Sequence, residues 1–341
     1  MRFSNDLISW YLKNKRDLPW RRTKDPYLIW LSEIILQQTR VEQGLSYYEK
    51  FKNEYPTIND LAKANENEVL KLWQGLGYYS RARNLHYTAK YISNEFNGSF
   101  PNDYKKILSL KGVGEYTAAA ISSFSFGKAY PVIDGNVYRV LSRVFGVSEP
   151  IDSTIGKKKF KELANSLIDQ NNPDIYNQAI MEFGALQCLP KKPACDSCIF
   201  KLNCFALKND LINVLPSKKK KINQRARFFN YIIYIDENEN TYLKQRKEND
   251  IWKGLFDFPL IETVEQIEEI SNIINLKKNE VLVNKSNQVK HILSHQKIYA
   301  TFWKVKIIGE KNDSLLLKTQ IEDISKFAVP KLLENYIKKY L

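Results

Sequence analysis

Apolar and polar positions follow different patterns in two regions of the chain. From Ser4 to about Leu207, apolar residues recur at the spacing of amphipathic helices, and glycine or proline separates the successive stretches. Ser4 is a suitable N-cap for the first helix. The further predicted helices are Tyr27–Tyr48, Glu66–Trp73, Arg81–Phe96, Tyr104–Leu108, Thr117–Phe124, Val137–Val144, Lys157–Asp169 and Asn177–Phe183. This region is therefore predicted to be mainly α-helical.

The pattern changes after a proline and a run of lysines at Pro216–Lys221. Phe228–Ile235 and Ile298–Ile308 are rich in β-branched and aromatic residues, which is typical of strands. One helical segment, about Val264–Ile274, is predicted between them, so this region is expected to be an α+β domain. The predicted divisions are a helical region 1–207, a basic linker 208–227 and a C-terminal domain 228–341.

Composition adds an expectation about partners. The chain has 341 residues, which suits two or three domains, and no stretch of apolar residues is long enough to predict a membrane span. The net charge of +14 favours a polyanion such as nucleic acid, although an anionic membrane surface or a generally basic proteome would also account for it.

All four cysteines of the chain, Cys188, Cys195, Cys198 and Cys204, lie in one short segment. Clustered thiolates are suited to a soft metal centre. Two disulfides are an alternative, but no apolar signal core follows Met1, and the expected cytoplasmic compartment disfavours them. Zinc is a second alternative, although structural zinc sites usually pair two Cys-x-x-Cys turns and only Cys195 and Cys198 form one.

The stretch Tyr27–Leu36 contains only two polar residues, Ser32 and Glu33. A helix that is apolar nearly all round is buried, so we expect desolvation to raise the pKa of Glu33 and make it a competent general acid. Gln37 and Arg40, at i+4 and i+7, would continue the same stripe and line one opening. The alternative is that Glu33 caps a helix or pairs with a buried arginine.

A glycine turn joins two helices of apolar periodicity at Lys111-Gly112-Val113-Gly114. Such a turn lets the backbone approach a partner closely, and the N–H groups at the start of the second helix attract an anion. The alternative is an ordinary turn between packed helices. Asp134 precedes another helix with one apolar face, where it either serves as an N-cap or has a functional role.

Taken together, these features resemble the MutY family of adenine DNA glycosylases. The matching segments are Leu18–Trp20, Trp30–Glu33, Leu36–Thr39, Gly75–His86, the glycine turn, Asp134–Asn136 and the cysteine loop. The cysteine spacing resembles the 4Fe–4S loop of the endonuclease III and MutY families. The resemblance implies a helix–hairpin–helix glycosylase with a six-helix part at about 21–130 and an iron–sulfur part at 1–20 plus 131–207, with the cluster bound by the four cysteines.

The resemblance also implies roles for individual residues. Glu33 matches the catalytic acid and Asp134 the catalytic aspartate, with Tyr116 and Asn136 orienting these groups. The implied DNA-binding residues are Gln37 and Gln38, Tyr78, and the turn of Lys111, Gly112, Val113 and Gly114. Gln38 and Tyr78 would wedge into the duplex beside an extruded adenine. The implied partner is double-stranded DNA with adenine opposite 8-oxoguanine or guanine, bound by a monomer associated with a bacterial nucleoid and not with a membrane.

Tyr116 bears on the type of reaction. Related enzymes of the endonuclease III type carry at this hairpin position a lysine that forms a Schiff base and cleaves the strand. Because the residue here is tyrosine, a monofunctional glycosylase is predicted.

The C-terminal region resembles the Nudix-like module of the same family, through Trp252–Pro259 and His291–His295. A working Nudix hydrolase needs a glutamate-rich helix for magnesium, which Val264–Ile274 does not match. The module is therefore expected to recognise 8-oxoguanine, through a loop of Leu293, Ser294 and His295 in which Ser294 binds the lesion.

Three other functions are weighed against this one. An endonuclease III-like enzyme for oxidised pyrimidines is disfavoured by Tyr116 and by the extra C-terminal domain. A non-catalytic DNA-binding or electron-transfer iron–sulfur protein is disfavoured by Glu33 and Asp134. A nucleotide phosphohydrolase is disfavoured by the missing magnesium helix.

Overall fold

The computed structural model describes residues 3–219 and 224–341. The part of the predicted basic linker at 220–223 lies outside them. The helices are α1 Phe3–Asn14, α2 Pro26–Leu36, α3 Val41–Glu54, α4 Ile58–Lys63, α5 Glu66–Leu72, α6 Ser80–Glu95, α7 Tyr104–Leu108, α8 Glu115–Phe126, α9 Gly135–Phe145, α10 Thr154–Leu167, α11 Pro173–Leu186, α12 Phe205–Lys208 and α13 Lys331–Tyr340. The strands are β1 Arg225–Ile235, β2 Asn240–Gln245, β3 Phe256–Asp257, β4 Leu260–Thr263, β5 Glu280–Lys285, β6 Val289–Ile292, β7 Gln296–Ile307 and β8 Leu317–Gln320.

The chain forms two compact units that do not follow the order of the sequence. The first contains residues 3–63 and 87–219, and the second contains residues 64–86 together with 224–341. The segment 64–86, which includes α5 and the start of α6, therefore groups with the C-terminal domain.

The first unit is helical, as the periodicity predicts. Side-chain caps begin several of its helices: Asp25 accepts a hydrogen bond from the Tyr27 N–H before α2, and Ser153 accepts from the Gly156 N–H before α10. α2 packs against α3 and α8, and α9 packs against α10, α11 and α12. Because α2 packs against α8, the helix that follows the glycine turn lies against the helix that carries Glu33.

The predicted continuous helix Tyr27–Tyr48 is wrong in one respect. α2 ends at Leu36, and Gln38 adopts the left-handed conformation with φ 56° before α3 begins. A left-handed residue cannot continue a right-handed helix. Gln37 and Arg40 therefore do not extend the Glu33 stripe: Gln37 is the C-cap of α2, and Arg40 is exposed at the start of α3.

The second unit is built on a mixed sheet with the order β3-β2-β1-β7-β5. The two strands predicted from composition are β1 and β7, which pair in parallel over their length. β4 pairs with β1 in the antiparallel direction. Alternate β1 residues face two hydrophobic clusters, with Phe229 and Tyr231 on one side and Ile232 and Tyr234 on the other. The α+β expectation is confirmed.

The helix predicted at Val264–Ile274 is wrong. The segment is an irregular loop with a single 3-10 turn at Ile270–Asn272, and its isoleucines pack against one hydrophobic cluster without forming a helix face. The helix of this domain is α13, which places Leu332, Leu333 and Tyr336 in the other cluster.

In the described part of the chain, no helix combines the length and apolar character needed to cross a membrane.

Candidate active site

Glu33 lies in the last two turns of α2, where its neighbours along the helix are buried and apolar. The side chain itself is buried. Burial raises the pKa of Glu33 to about 7; a hydrogen bond with Tyr116 and the positive charge of Arg21 act in the opposite direction, while the charge of Asp134 adds to the increase. This carboxyl group can therefore keep its proton closer to neutral pH than an exposed glutamate can.

Tyr116 comes from the first turn of α8, directly after the glycine turn. Its hydroxyl is hydrogen-bonded to Glu33 and also lies 3.3 Å from the Met181 Sδ of α11. Burial, together with the nearby carboxylates of Glu33 and Asp134, raises the pKa of Tyr116, so the phenol stays neutral and can donate a hydrogen bond.

Asp134 is the N-cap of α9. Its Oδ1 accepts from the backbone N–H groups of Asn136 at 2.9 Å and Val137 at 2.8 Å, and its Oδ2 accepts from Asn136 Nδ2 at 2.9 Å. Burial raises the pKa of Asp134, and these three hydrogen bonds oppose the increase by favouring the carboxylate. The capping and the functional interpretations of Asp134 are thus compatible.

Two arginines of α9, one turn apart, connect this site to the cysteine loop. Arg139 Nη2 donates to Asn136 Oδ1 at 2.8 Å, and its Nε donates to the Cys188 carbonyl at 2.7 Å. Arg143 Nη1 donates to the Leu189 carbonyl at 2.7 Å and lies 3.5 Å from Cys188 Sγ. Both guanidinium groups are buried, and the sequence analysis did not identify either of them.

The four cysteines all line one largely apolar pocket, together with Val144, Phe183, Pro193, Ala194, Leu207 and Ile212 among others. Two of the sulfurs receive polar contacts, from Arg143 at 3.5 Å to Cys188 and from the Phe200 N–H at 3.4 Å to Cys198. N–H groups aimed at sulfur are typical of iron–sulfur sites. Among the residues 3–219 and 224–341, no group of three or more His, Cys, Asp or Glu side chains is arranged to hold a single metal ion.

The predicted DNA-binding residues of the first unit occupy different environments. Lys111 is exposed, with its ammonium group 4.3 Å from the Tyr87 ring centroid, and Gly112 has a φ of 82° that favours glycine. Val113 is buried, and its N–H donates to the Leu110 carbonyl. Gln38 is exposed, whereas Gln37 is half-buried and donates to the Thr117 hydroxyl at 3.3 Å.

The second unit contains a separate cavity of about 410 Å³. Residues of the segment 64–86, including Tyr78 and Arg83, line it together with the strand-connecting loops at 250–252 and 292–296. The Tyr78 hydroxyl is hydrogen-bonded to the Ser294 hydroxyl, and both side chains are exposed. His295 is exposed beside them, whereas Leu293 is half-buried against the hydrophobic cluster of β1 and β7.

Sequence reasoning missed a buried ion cluster next to Glu33. Glu182 of α11 accepts hydrogen bonds from Arg16 and Arg21, and Arg21 Nε also donates to Gln178 at 3.0 Å. The only available signal was the spacing of Gln178, Met181 and Glu182, which places three polar or polarisable side chains on one face of a predicted helix.

Comparisons with known proteins agree with this arrangement. Residues 31–168 match the model of the HhH-GPD superfamily base excision DNA repair protein, and residues 230–339 match the NUDIX domain. The adenine DNA glycosylase of Buchnera aphidicola subsp. Acyrthosiphon pisum is 37% identical over 285 residues, or 83% of this chain and 79% of that protein. The adenine DNA glycosylase of Buchnera aphidicola subsp. Baizongia pistaciae is 34% identical over 319 residues, or 92% of this chain and 90% of that protein.

The structure of a thermostable thymine-DNA glycosylase aligns with a TM-score of 0.57 and 33% identity, covering 61% of this chain and 95% of that one. The resemblance to the MutY family is thereby confirmed: the chain belongs to the adenine DNA glycosylase family of base excision repair, with a helix–hairpin–helix region and a C-terminal NUDIX domain.

Proposed function

We propose that the chain hydrolyses the N-glycosidic bond of adenine mispaired with 8-oxoguanine or guanine, without cutting the DNA strand. The observation that carries this proposal is the pairing of a buried glutamate, whose pKa is raised to about 7, with a nearby aspartate held by three hydrogen bonds. Two carboxyl groups in different environments can supply the acid and the stabilising anion that cleavage of a glycosidic bond requires.

Glu33 is the proposed general acid. The base must leave with its electron pair, so protonation of adenine at N7 makes it a better leaving group. Tyr116 keeps a hydrogen bond to the Glu33 carboxyl and fixes its orientation. After the base departs, the ionised Glu33 can accept a proton from the water that attacks the sugar.

Asp134 is the proposed stabiliser of the cationic sugar. Its hydrogen bonds from Asn136 and Val137 favour the carboxylate, and a negative charge next to an oxocarbenium-like carbon lowers the barrier. A transient covalent bond between Asp134 and the sugar carbon would be the limiting form of this interaction. Arg139 holds Asn136 from the other side and so orients the amide that faces Asp134.

The absence of strand cleavage is proposed from Tyr116. A phenol does not form an imine with the sugar aldehyde, whereas a lysine amine at this position would. The abasic site would therefore remain in an intact strand until alkali or another enzyme acts on it.

Contact with DNA is proposed at several exposed positions. The start of α8 after Gly114 can receive a backbone phosphate, with Lys111 contributing charge. Gln38 and Tyr78 have φ angles of 56° and 47°, and such strained non-glycine residues cluster at functional sites. We propose that they fill the gap left by the extruded adenine, as the family resemblance implies.

Recognition of the opposite base is proposed for the cavity of the second unit. Ser294 and Tyr78 offer two hydroxyl groups at its exposed rim, and His295 is adjacent. A hydrolase function for this domain is not favoured, because the segment 264–274 is a loop and not a metal-binding helix.

The cysteine pocket is proposed to hold a 4Fe–4S cluster with a structural role. All four cysteines line this pocket among apolar side chains, and N–H groups donate to two of the sulfurs. The cluster would link Cys188 to Cys204 at the start of α12. The Cys188 carbonyl accepts a hydrogen bond from Arg139, so the cluster would also be connected to α9.

The test is incubation of the purified protein with duplexes containing adenine opposite 8-oxoguanine, guanine, cytosine or thymine. Alkali should reveal abasic sites in the first two duplexes, and strands not treated with alkali should stay intact. Glu33→Gln should lose the activity, whereas Glu162→Gln, at an exposed carboxylate of α10, should keep it. If adenine were released from none of the four duplexes, the proposal would be contradicted.

A further inference from the structure

Arg227 on β1 is the centre of a polar cluster beneath the cavity of the second unit. Its guanidinium group is only 8% exposed and donates to Asp250 at 2.7 and 2.9 Å and to Glu262 at 2.5 and 2.8 Å. Its Nη1 also donates to Gln296 Oε1 at 3.1 Å. The reaction proposed above does not use any of these groups.

Two of the three acceptors of Arg227, Asp250 and Gln296, belong to different segments of the cavity wall. Asp250 belongs to the wall formed by residues 250–252, which includes Trp252. Gln296 belongs to the wall formed by residues 292–296, which includes Ser294. A single rigid guanidinium group therefore joins both walls to β1.

Apart from the Gln296 side chain, the loop of Leu293, Ser294 and His295 is held by the hydrogen bond of Ser294 with Tyr78, by Gln224 Nε2, which donates to the Leu293 carbonyl at 3.0 Å, and by two backbone hydrogen bonds. The Leu293 N–H donates to the Gln296 carbonyl at 2.8 Å, and the His295 carbonyl accepts from the Arg225 N–H at 3.0 Å. Both bonds are close to Gln296, where β7 begins. The side chain of Gln296 is thus well placed to set the position of the loop.

A second, partly buried arginine has a contrasting set of contacts. Arg246 donates to Asp250, to Asp257 and to the Ile251 carbonyl. None of these acceptors lies on the 292–296 wall. Arg246 therefore supports one wall only, which makes it a matched control for Arg227.

We infer that Arg227 is a positioning residue that fixes the spacing between the two cavity walls and thereby the preference for 8-oxoguanine over guanine. This inference rests on the proposed recognition of the opposite base by Ser294. The two bases differ at few atoms, so telling them apart requires a hydrogen-bonding group held to within about 0.5 Å. A bidentate guanidinium held by two carboxylates provides such a constraint, and a flexible ammonium group does not.

The activity test compares the rates of adenine release opposite 8-oxoguanine and opposite guanine. For Arg227→Lys and for Gln296→Leu, the ratio of the two rates should fall about tenfold, the change expected from one lost charge-assisted hydrogen bond. Arg246→Lys should retain the ratio. An unchanged ratio in both test variants, or an equal fall in Arg246→Lys, would overturn the inference.

A second measurement separates positioning from general loss of structure. In a Ser294→Ala background, adding Arg227→Lys should change the ratio by less than twofold, because the group that Arg227 positions is already absent. Independent, multiplicative effects would argue against positioning through Ser294.

Amide hydrogen exchange without DNA provides a readout that does not depend on activity. The Leu293 and Arg225 amides should exchange faster in Arg227→Lys but not in Arg246→Lys, and unchanged exchange would refute the inference.

If the unaltered protein releases adenine equally opposite both bases, the proposed recognition function is wrong. If it shows the preference and Arg227→Lys keeps it, only the role of Arg227 is wrong.

Discussion

Asn136 donates a hydrogen bond from Nδ2 to Asp134 Oδ2 at 2.9 Å, two residues away in the same helix cap. The geometry is that of an amide holding a carboxylate in a fixed orientation. Because Asn136 Oδ1 accepts a hydrogen bond from Arg139, the side-chain amide cannot rotate without losing a second hydrogen bond.

The first prediction follows from this contact. Asn136→Asp places a second carboxyl group against Asp134, which disfavours ionisation of Asp134 and removes its donor. We expect adenine release to slow by at least about tenfold, since a pKa increase of one unit corresponds to about 1.4 kcal/mol. Single-turnover rates at neutral pH provide the measurement, and the same exchange at exposed Asn165 of α10 should have no effect.

A second prediction concerns the pH dependence of adenine release. Burial raises the pKa of Glu33 to about 7, and the protonated form is the proposed acid, so the rate should be highest below that pH. Above pH 7 it should fall about tenfold per pH unit. Single-turnover rates between pH 5 and pH 9 test this, and a rate that rises through pH 8 would exclude Glu33 as the acid.

The stability of the fold should show the cost of keeping Glu33 buried. The pKa of Glu33 is higher in the folded state than its ordinary value of 4.5, so the folded state binds the proton more tightly. The resulting contribution to stability is fully present below pH 4.5 and is lost as the pH rises through about 7. Glu33→Gln should therefore increase the free energy of unfolding at pH 8, by up to about 3 kcal/mol. Denaturant unfolding at pH 5 and pH 8 should show the gain only at the higher pH.

Glu182 should behave in the opposite way. Burial favours its neutral form, but hydrogen bonds from Arg21 and Arg16 outweigh this and lower the pKa of Glu182 to about 2. The stability it contributes is present above pH 4.5 and is lost as the pH falls towards 2. Glu182→Gln should cost about 3–5 kcal/mol at neutral pH, because it leaves two arginines without their buried partner. The control is Glu162→Gln, which removes an exposed ion pair with Lys158 and should lower the free energy of unfolding by less than about 1 kcal/mol.

Removal of the cluster should act on the fold around the cysteines. The purified protein should be yellow-brown, with an absorbance maximum at about 410 nm, and should contain iron. Cys198→Ser should reduce the colour and the melting temperature, because the proposed cluster would lose one of its four thiolates. Zinc in place of iron by elemental analysis would contradict the proposed cofactor and favour the alternative.

Local features of the chain were predictable where short-range physics decides them. The apolar surroundings of Glu33 in the sequence predict its burial, and the structure buries it. The strands β1 and β7 were recognisable from their β-branched and aromatic residues, and α9 from the apolar face that follows Asp134. The helix predicted at 264–274 was wrong, because the isoleucines of this packed loop have the spacing of an amphipathic helix.

The sequence by itself determined the helical and α+β regions, the glycine turn, the cysteine loop and the family, since each depends on neighbouring residues or on motif spacing. Tertiary structure alone decided which distant groups meet. Arg16 and Glu182 are 166 residues apart, and Arg227 reaches Gln296 across 69 residues. It also decided that residues 64–86 group with the C-terminal domain. The physical reason is that a buried charge is tolerated only where folding brings it a partner, and no local pattern encodes which partner arrives.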